Sequence, residues 1–220
     1  MLNIAIGYDH KESVAYHVLV QSLMDHASEP LNIMPLNLKN LPFKRERDPK
    51  QSTDFAFTRF LVPYLSGYRG KTLFMDSDIV CTGDVVELFA EFSTWHAVQV
   101  VKHDYRPTSE TKFLGNVQTR YERKNWSSVM LFNNSHFDCQ RLTLDYVEQA
   151  PGLDLHQFKW TKRVGDLGST WNHLVGESKP IEKPKLIHYT QGGPYFKDYR
   201  DCEYNEEWFA AKARMLHCNQ

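Results

Sequence analysis

The chain has 220 residues, a formal net charge of -1 and a sequence pI near 6.8, which suits one core of ordinary size. That balance argues against a nucleic-acid binder built on a broad basic face and leaves only short patches such as Lys44-Arg-Glu-Arg47, which read as solvated loop. No apolar run reaches the roughly 18 residues of a membrane span, and Asn3-Ile-Ala-Ile-Gly7 follows without a basic leader, so a cytoplasmic protein with no membrane span and no nucleic-acid partner is expected.

Cys81, Cys139, Cys202 and Cys218 are widely spaced with no Cys-x-x-Cys, which reads as free thiols rather than a zinc site or a disulfide framework. Aromatic residues make up 13% of the chain, enough to line a cleft where rings meet the C–H faces of sugars. Trp126, Trp171 and Trp208 are open to that reading and to an ordinary core one.

In chain order, Leu2 to Ile6 alternates as a strand and meets Gly7-Tyr8-Asp9 at a turn; Ser13 to Met24 then carries Val14, Val18, Leu19 and Leu23 at helical spacing. Leu31 to Leu38 reads as a strand that Pro35 restricts to an edge or an end, and residues 41–52 read as a surface loop near the site. A helix is predicted over Asp54 to Leu65, capped by Thr53 or Asp54, with Pro63 near its end. After the strand at Leu73-Phe-Met75 come a helix over Val85 to Phe92 capped by Asp84 and a strand over Trp95 to Val101. Residues 102–124 are polar and turn-rich, an insertion or lid on the acceptor side. Ser127 to Phe132 reads as a strand, His136 to Gln149 as a helix stopped by Pro151-Gly152, and 153–180 as irregular apart from a helical turn at Trp171 to Leu174. Lys185 to His188 is a last strand, Gly192-Gly-Pro194 a sharp turn, and Asn205 to Leu216 the C-terminal helix.

This order predicts an α/β fold with a mixed, mainly parallel central sheet flanked by helices. The chain has no Gly-x-Gly-x-x-Gly after the first strand and no Gly-x-x-x-x-Gly-Lys-[Ser/Thr], which disfavours dinucleotide oxidoreductases and P-loop enzymes. The stretch that concentrates chemistry is Lys71-Thr-Leu-Phe-Met-Asp-Ser-Asp-Ile-Val80, where an apolar strand runs into two carboxylates at a sheet edge, the usual place for ligands in such sheets. Asp76 and Asp78 sit at i and i+2, able to close on one divalent cation or, equally from the motif alone, to cap a turn. With fourteen Asp in the chain, about one Asp-x-Asp arises by chance, so the motif depends on its context.

Four segments supply that context: Ala5-Ile-Gly-Tyr-Asp9, Phe57-Thr-Arg-Phe-Leu-Val-Pro-Tyr-Leu65, Leu73-Phe-Met-Asp-Ser-Asp-Ile-Val80 with Gly83-Asp84, and Ile187-His-Tyr-Thr-Gln-Gly-Gly-Pro194. In this order they resemble the family 8-type glycosyltransferases of the GT-A fold, the retaining group that includes glycogenin and lipopolysaccharide galactosyl- and glucosyltransferases, and the chain looks like a divergent bacterial member. The resemblance implies one GT-A (Rossmann-like) domain over residues 1–220, with 1–100 as the nucleotide- and metal-binding half and 101–220 as the acceptor-side half. It implies Asp76, Asp78 and His188 as metal ligands, and Tyr8, Asp9, Arg59, Ser77 and Gly192 on the donor-binding side. Three departures stand out: Asn125 is offset by one from the family's donor-sugar Asn, Asp166 is followed by Leu167-Gly168 rather than Gln, and the lysine after the late glycines comes only at Lys197.

The implied activity is transfer of a hexose, with retention, from a nucleotide-diphosphate sugar such as a UDP-sugar to a saccharide or glycolipid acceptor. A divalent ion bridging the diphosphate stabilises the charge of the leaving group, and an imidazole ligand favours Mn2+ over Mg2+. Asp166, Gln191 and Asn125 are the candidates for steadying the oxocarbenium-like sugar. Two alternatives stay open: a sugar-1-phosphate nucleotidyltransferase, and a nucleotide-sugar-binding protein without turnover.

Overall fold

The computed structural model describes residues 1–48, 51–104, 111–112, 116–117 and 122–217. The strands are β1 (Leu2–Tyr8), β2 (Leu31–Asn37), β3 (Lys71–Met75), β4 (Ile79–Cys81), β5 (Val98–Val100), β6 (Thr111–Lys112), β7 (Asn116–Val117), β8 (Val129–Asn133), β9 (Val164–Asp166), β10 (His173–Leu174) and β11 (Leu186–His188). The α-helices are α1 (Ser13–His26), α2 (Val62–Leu65), α3 (Val85–Ala90), α4 (Leu144–Gln149), α5 (Gly152–His156) and α6 (Asn205–Met215).

Six strands form a central sheet in the order β2-β1-β3-β8-β5-β9. β8 runs antiparallel to both neighbours and the other pairs are parallel, so the sheet is mixed and mainly parallel, as expected. The period-2 alternation of the strands divides their side chains between two cores. Ile4, Ile6, Leu73, Met75, Val129 and Leu131 face one core, while Ala5, Phe74, Met130 and Phe132 face the other. Each of the larger side chains stabilises the fold by about 1.5–3 kcal/mol through burial. β2 is an edge strand, which accommodates Pro35 because that edge needs no further donors. A second sheet, β10-β11-β4, lies beside the first, and α1 packs across β4 and α6.

Several local expectations are corrected. The region read as one helix over Asp54 to Leu65 is a set of turns, a 3-10 turn over Thr58–Leu61 and then α2. Pro63 sits in the first turn of α2, where its missing N–H has no intrahelical partner to lose, so it opens a helix rather than ending one. The helix predicted over His136 to Gln149 breaks at Leu142, and Thr143 restarts it as α4 by accepting from the Tyr146 amide at 3.1 Å. α4 does end at Gln149 ahead of Pro151, as expected, but α5, β9 and β10 occupy the span read as irregular. The strand at Trp95 to Val101 shortens to β5, leaving Trp95 exposed.

Most of the predicted insertion at 102–124 lies outside the described residues. Cys81 and Cys139 are buried free thiols, and Cys202 is free and half-buried. No helix among the described residues is long and apolar enough to cross a membrane. Trp171 and Trp208 belong to the core.

Candidate functional site

The site forms where the chain passes from one sheet to the other. β3 ends at Met75, residues 77–78 bend, and β4 begins at Ile79 in the second sheet. The Asp76 amide donates to the Ser128 carbonyl (2.9 Å), and the Tyr189 amide donates to the Asp78 carbonyl (2.9 Å), so each aspartate backbone is fixed to a different sheet. Antiparallel pairing of β11 with β4 sets His188 opposite Ile79 and hence beside Asp78. The ligand atoms of Asp76, Asp78 and His188 all lie within 4.8 Å of one another.

The donor set fits a divalent cation. Asn172 donates from Nδ2 to the Asn125 carbonyl (3.3 Å) and to Ser128 Oγ (2.9 Å), which orients its Oδ1 toward His188 Nδ1 at 3.0 Å. A carbonyl oxygen only accepts, so Nδ1 carries hydrogen and Nε2 faces the carboxylates, 3.2 Å from Asp78 Oδ1. Arg59, itself buried, pairs with Asp76 Oδ1 at 2.8 Å and donates to the Ser127 carbonyl at 2.9 Å. Burial pushes the Asp76 carboxyl up to about 6 despite the attraction of Arg59, and Asp78 adds to the rise. At His188 burial opposes the charged ring, but Asp78 and Asp76 together outweigh it, and the pKa is raised. Both shifts make the cluster retain protons, the behaviour of a carboxylate-rich pocket that a cation neutralises.

Two further residues of the cleft were missed from the sequence. Glu12 is buried beside the aspartates and accepts from the Tyr195 hydroxyl at 2.6 Å. Burial, followed by repulsion from Asp78, pushes its carboxyl up to about 8. Lys124 is likewise buried and lines the same cleft. Neither sits in a recognisable motif. The only local signal is that Lys124 directly precedes Asn125, which the sequence had singled out.

The predicted residues divide into two groups. Asn125 and Gly192 line the cleft with Asp76, Asp78 and His188; Gly192 has φ 141°, and a Cβ there would lie 2.5 Å from the Tyr199 ring, so only glycine fits. Ser77 is buried between the aspartates, with an Oγ that has no hydrogen-bond partner. Asp9 is a tie: Oδ1 accepts from the Lys11 amide (2.9 Å) and Oδ2 from the Asp54 amide (3.0 Å), joining the end of β1 to the turn before Thr58. Tyr8 is half-buried and packs edge-to-face on Tyr16 at 5.4 Å. Gln191 donates to Glu177 at 2.9 Å. Asp166 is exposed on the edge strand β9, ion-paired with Lys102 at 3.1 Å and three strands from Asp76, roughly 14 Å at ordinary strand spacing. Asp166 is therefore not brought to the cluster, and Gln191, between the cleft residues Thr190 and Gly192, turns its amide to Glu177.

No family model matches the chain. It is 39% identical over 216 residues to Protein CDI of Arabidopsis thaliana, covering 93% of this chain and 83% of that protein. The chain belongs to the Protein CDI family. Solved structures similar to this Protein CDI family member include the bifunctional glycosyltransferase WbbM (TM-score 0.66, 15% identity, 96% of this chain and 49% of that one). Glycosyltransferase GlyE of Streptococcus pneumoniae TIGR4 gives a TM-score of 0.66 at 18% identity, covering 99% of this chain and 60% of that one. The galactosyltransferase LgtC, solved with donor and acceptor sugar analogs, gives 0.63 at 11% identity, covering 100% of this chain and 98% of that one. The chain thus spans about half to three-fifths of the first two and nearly all of the third. At these identities the likeness is one of fold, and it assigns the Protein CDI family chain the mixed α/β architecture of GT-A glycosyltransferases. This relative is a plant protein, and the bacterial origin expected from the sequence finds no support in it.

Proposed function

We propose that this chain is a metal-dependent, family 8-type glycosyltransferase that moves a hexosyl group, with retention, from a UDP-sugar to a saccharide or glycolipid acceptor. Residues 1–220 act as one catalytic unit in this reading. The observation that carries it is the convergence of Asp76, Asp78 and His188 at the end of a central strand in this fold. Those three residues would hold Mn2+, or Mg2+ less well, and the ion would neutralise the departing diphosphate.

The remaining roles belong to the chain itself. Arg59 partly offsets the burial of Asp76 and holds it in place, and Asn172 holds the His188 ring. Lys124 brings a positive charge to the diphosphate end of the cleft, where the sequence lacks the lysine expected after the late glycines. Of the three residues considered for steadying the sugar, Asn125 is retained because it lines the cleft.

The nucleotidyltransferase alternative is not favoured. It needs a glycine-rich phosphate loop after β1, yet Asp9-His-Lys-Glu12 there holds no glycine, and Gly7, inside β1, packs under the Phe55 ring, which a Cβ would meet at 2.3 Å. Gly7 therefore serves packing. The test is calorimetric titration of UDP and a panel of UDP-hexoses with and without manganese, followed by product analysis for the anomeric configuration. Binding should require manganese, vanish in Asp78→Asn and weaken in His188→Ala. Absence of nucleotide-sugar binding in manganese sinks the proposal, and binding without transfer or hydrolysis assigns the chain to the non-catalytic class.

A further inference from the structure

Behind the Arg59–Asp76 pair lies a second cavity of about 370 Å³, within the size range of small-molecule sites. It shares Arg59, Asp76, Lys124 and Asn125 with the metal cleft, so the two spaces meet at the metal cluster. Its own lining has a different character. Phe57, Ala56 and Leu153 give it an apolar wall, and Gln51, Ser127 and His156 give it polar ones.

Ser127 Oγ and His156 Nδ1 form a hydrogen-bonded pair at 2.8 Å, with Ser127 just before β8 and His156 at the end of α5. The pair is firmly held. The Ser127 carbonyl accepts from Arg59, and the His156 ring packs edge-to-face on Phe60 at 5.3 Å. Gly152 lets the start of α5 close on the edge of the Phe57 ring, because a Cβ there would stand 2.6 Å from it. Leu153, 48% exposed, stands at the solvent side.

On the reading given under Proposed function, we infer that this cavity is the acceptor chamber, and that it takes a neutral hexopyranoside. The ring enters from solvent past Leu153, packs an apolar face against Leu153, and offers hydroxyls to Ser127, His156 and Gln51. A hydroxyl at its inner end then meets the metal cleft beside Asp76 and Asn125. This entry is independent of the nucleotide, which distinguishes an acceptor from the hexose of the donor.

The test uses the full chain with its Leu and Ala methyl groups labelled for NMR. It is titrated with methyl glucoside, galactoside, mannoside and xyloside, both alone and with manganese and UDP, and separately with UDP-hexoses. At least one glycoside is expected to shift the Ala56 and Leu153 methyls. In Leu153→Trp, which narrows the mouth from an exposed position, and in His156→Phe, which keeps the ring packing and removes both nitrogens, its dissociation constant should rise about tenfold or more, with binding of manganese and UDP unchanged.

If no glycoside shifts the Ala56 methyl, if only UDP-hexoses do, or if both variants weaken UDP as much as the glycoside, the acceptor assignment is overturned. A protein that binds a glycoside here but no nucleotide in manganese refutes the transferase reading and keeps the saccharide site. The converse refutes only the chamber.

Discussion

Replacing Glu12 by glutamine removes one titration from the cleft while leaving a carbonyl oxygen to accept the Tyr195 hydroxyl. The folded protein keeps the Glu12 proton up to about 8, whereas an unperturbed glutamate releases it near 4.5. Between those values the folded state binds more protons than the unfolded chain, so stability falls as pH rises. The group's contribution is fully present below 4.5 and lost once pH passes about 8. At 1.36 kcal/mol per pH unit the loss is about 3–5 kcal/mol, or roughly 6–20 °C in Tm for a domain of this size. The assay is calorimetric unfolding of wild type and Glu12→Gln in chelator between pH 4.5 and 9. Asp76 and His188 titrate in both proteins and largely cancel, so the difference between the profiles reports Glu12. The variant should gain on the wild type steadily as pH rises, and added manganese should narrow the gap by offsetting the charge of Asp78. Parallel profiles would refute the reasoning.

Arg59→Met leaves the buried Asp76 carboxylate without its cation and should cost about 3–5 kcal/mol in urea denaturation, much of it recovered in the double variant with Asp76→Asn. Asn172→Ala releases the His188 ring and should lower manganese affinity roughly 10–100-fold by calorimetry. Lys124→Met should weaken UDP binding about tenfold while manganese binding stays close to wild type. Gly192→Ala forces a strained φ and a clash with Tyr199, and should lower stability by about 1–3 kcal/mol in thermal unfolding.

The central strand and its aspartate pair were legible because the Leu73-Phe-Met75 run of β3 is short, apolar and abruptly terminated, and no tertiary effect overrides that pattern. His188 was legible for the same reason, as a polar residue at the end of an apolar strand. Glu12 was not. Its burial and its partner Tyr195 are set by a contact 183 residues away along the chain, to which local spacing is blind. Asp166 shows the opposite failure: it does lie at a strand end, but the strand order puts β9 at the sheet edge, and order is a property of topology rather than of local sequence. The single helix read over Asp54 to Leu65 merged turns, a 3-10 turn and α2, because their apolar residues share near-helical spacing and Pro63 is as well suited to a first turn as to a helix end.

The bend at Ser77 carries a mechanical consequence. Asp76 hangs from the large sheet and His188 from the small one, and about half the chain lies between them in sequence. An ion gripping both closes that long loop, a constraint of the kind a disulfide imposes, but reversible and set by ion concentration. Under the proposed metal-dependent reading, charge neutralisation and clamping of the two sheets would be a single event, and the cleft between them would be at its most rigid with the ion bound.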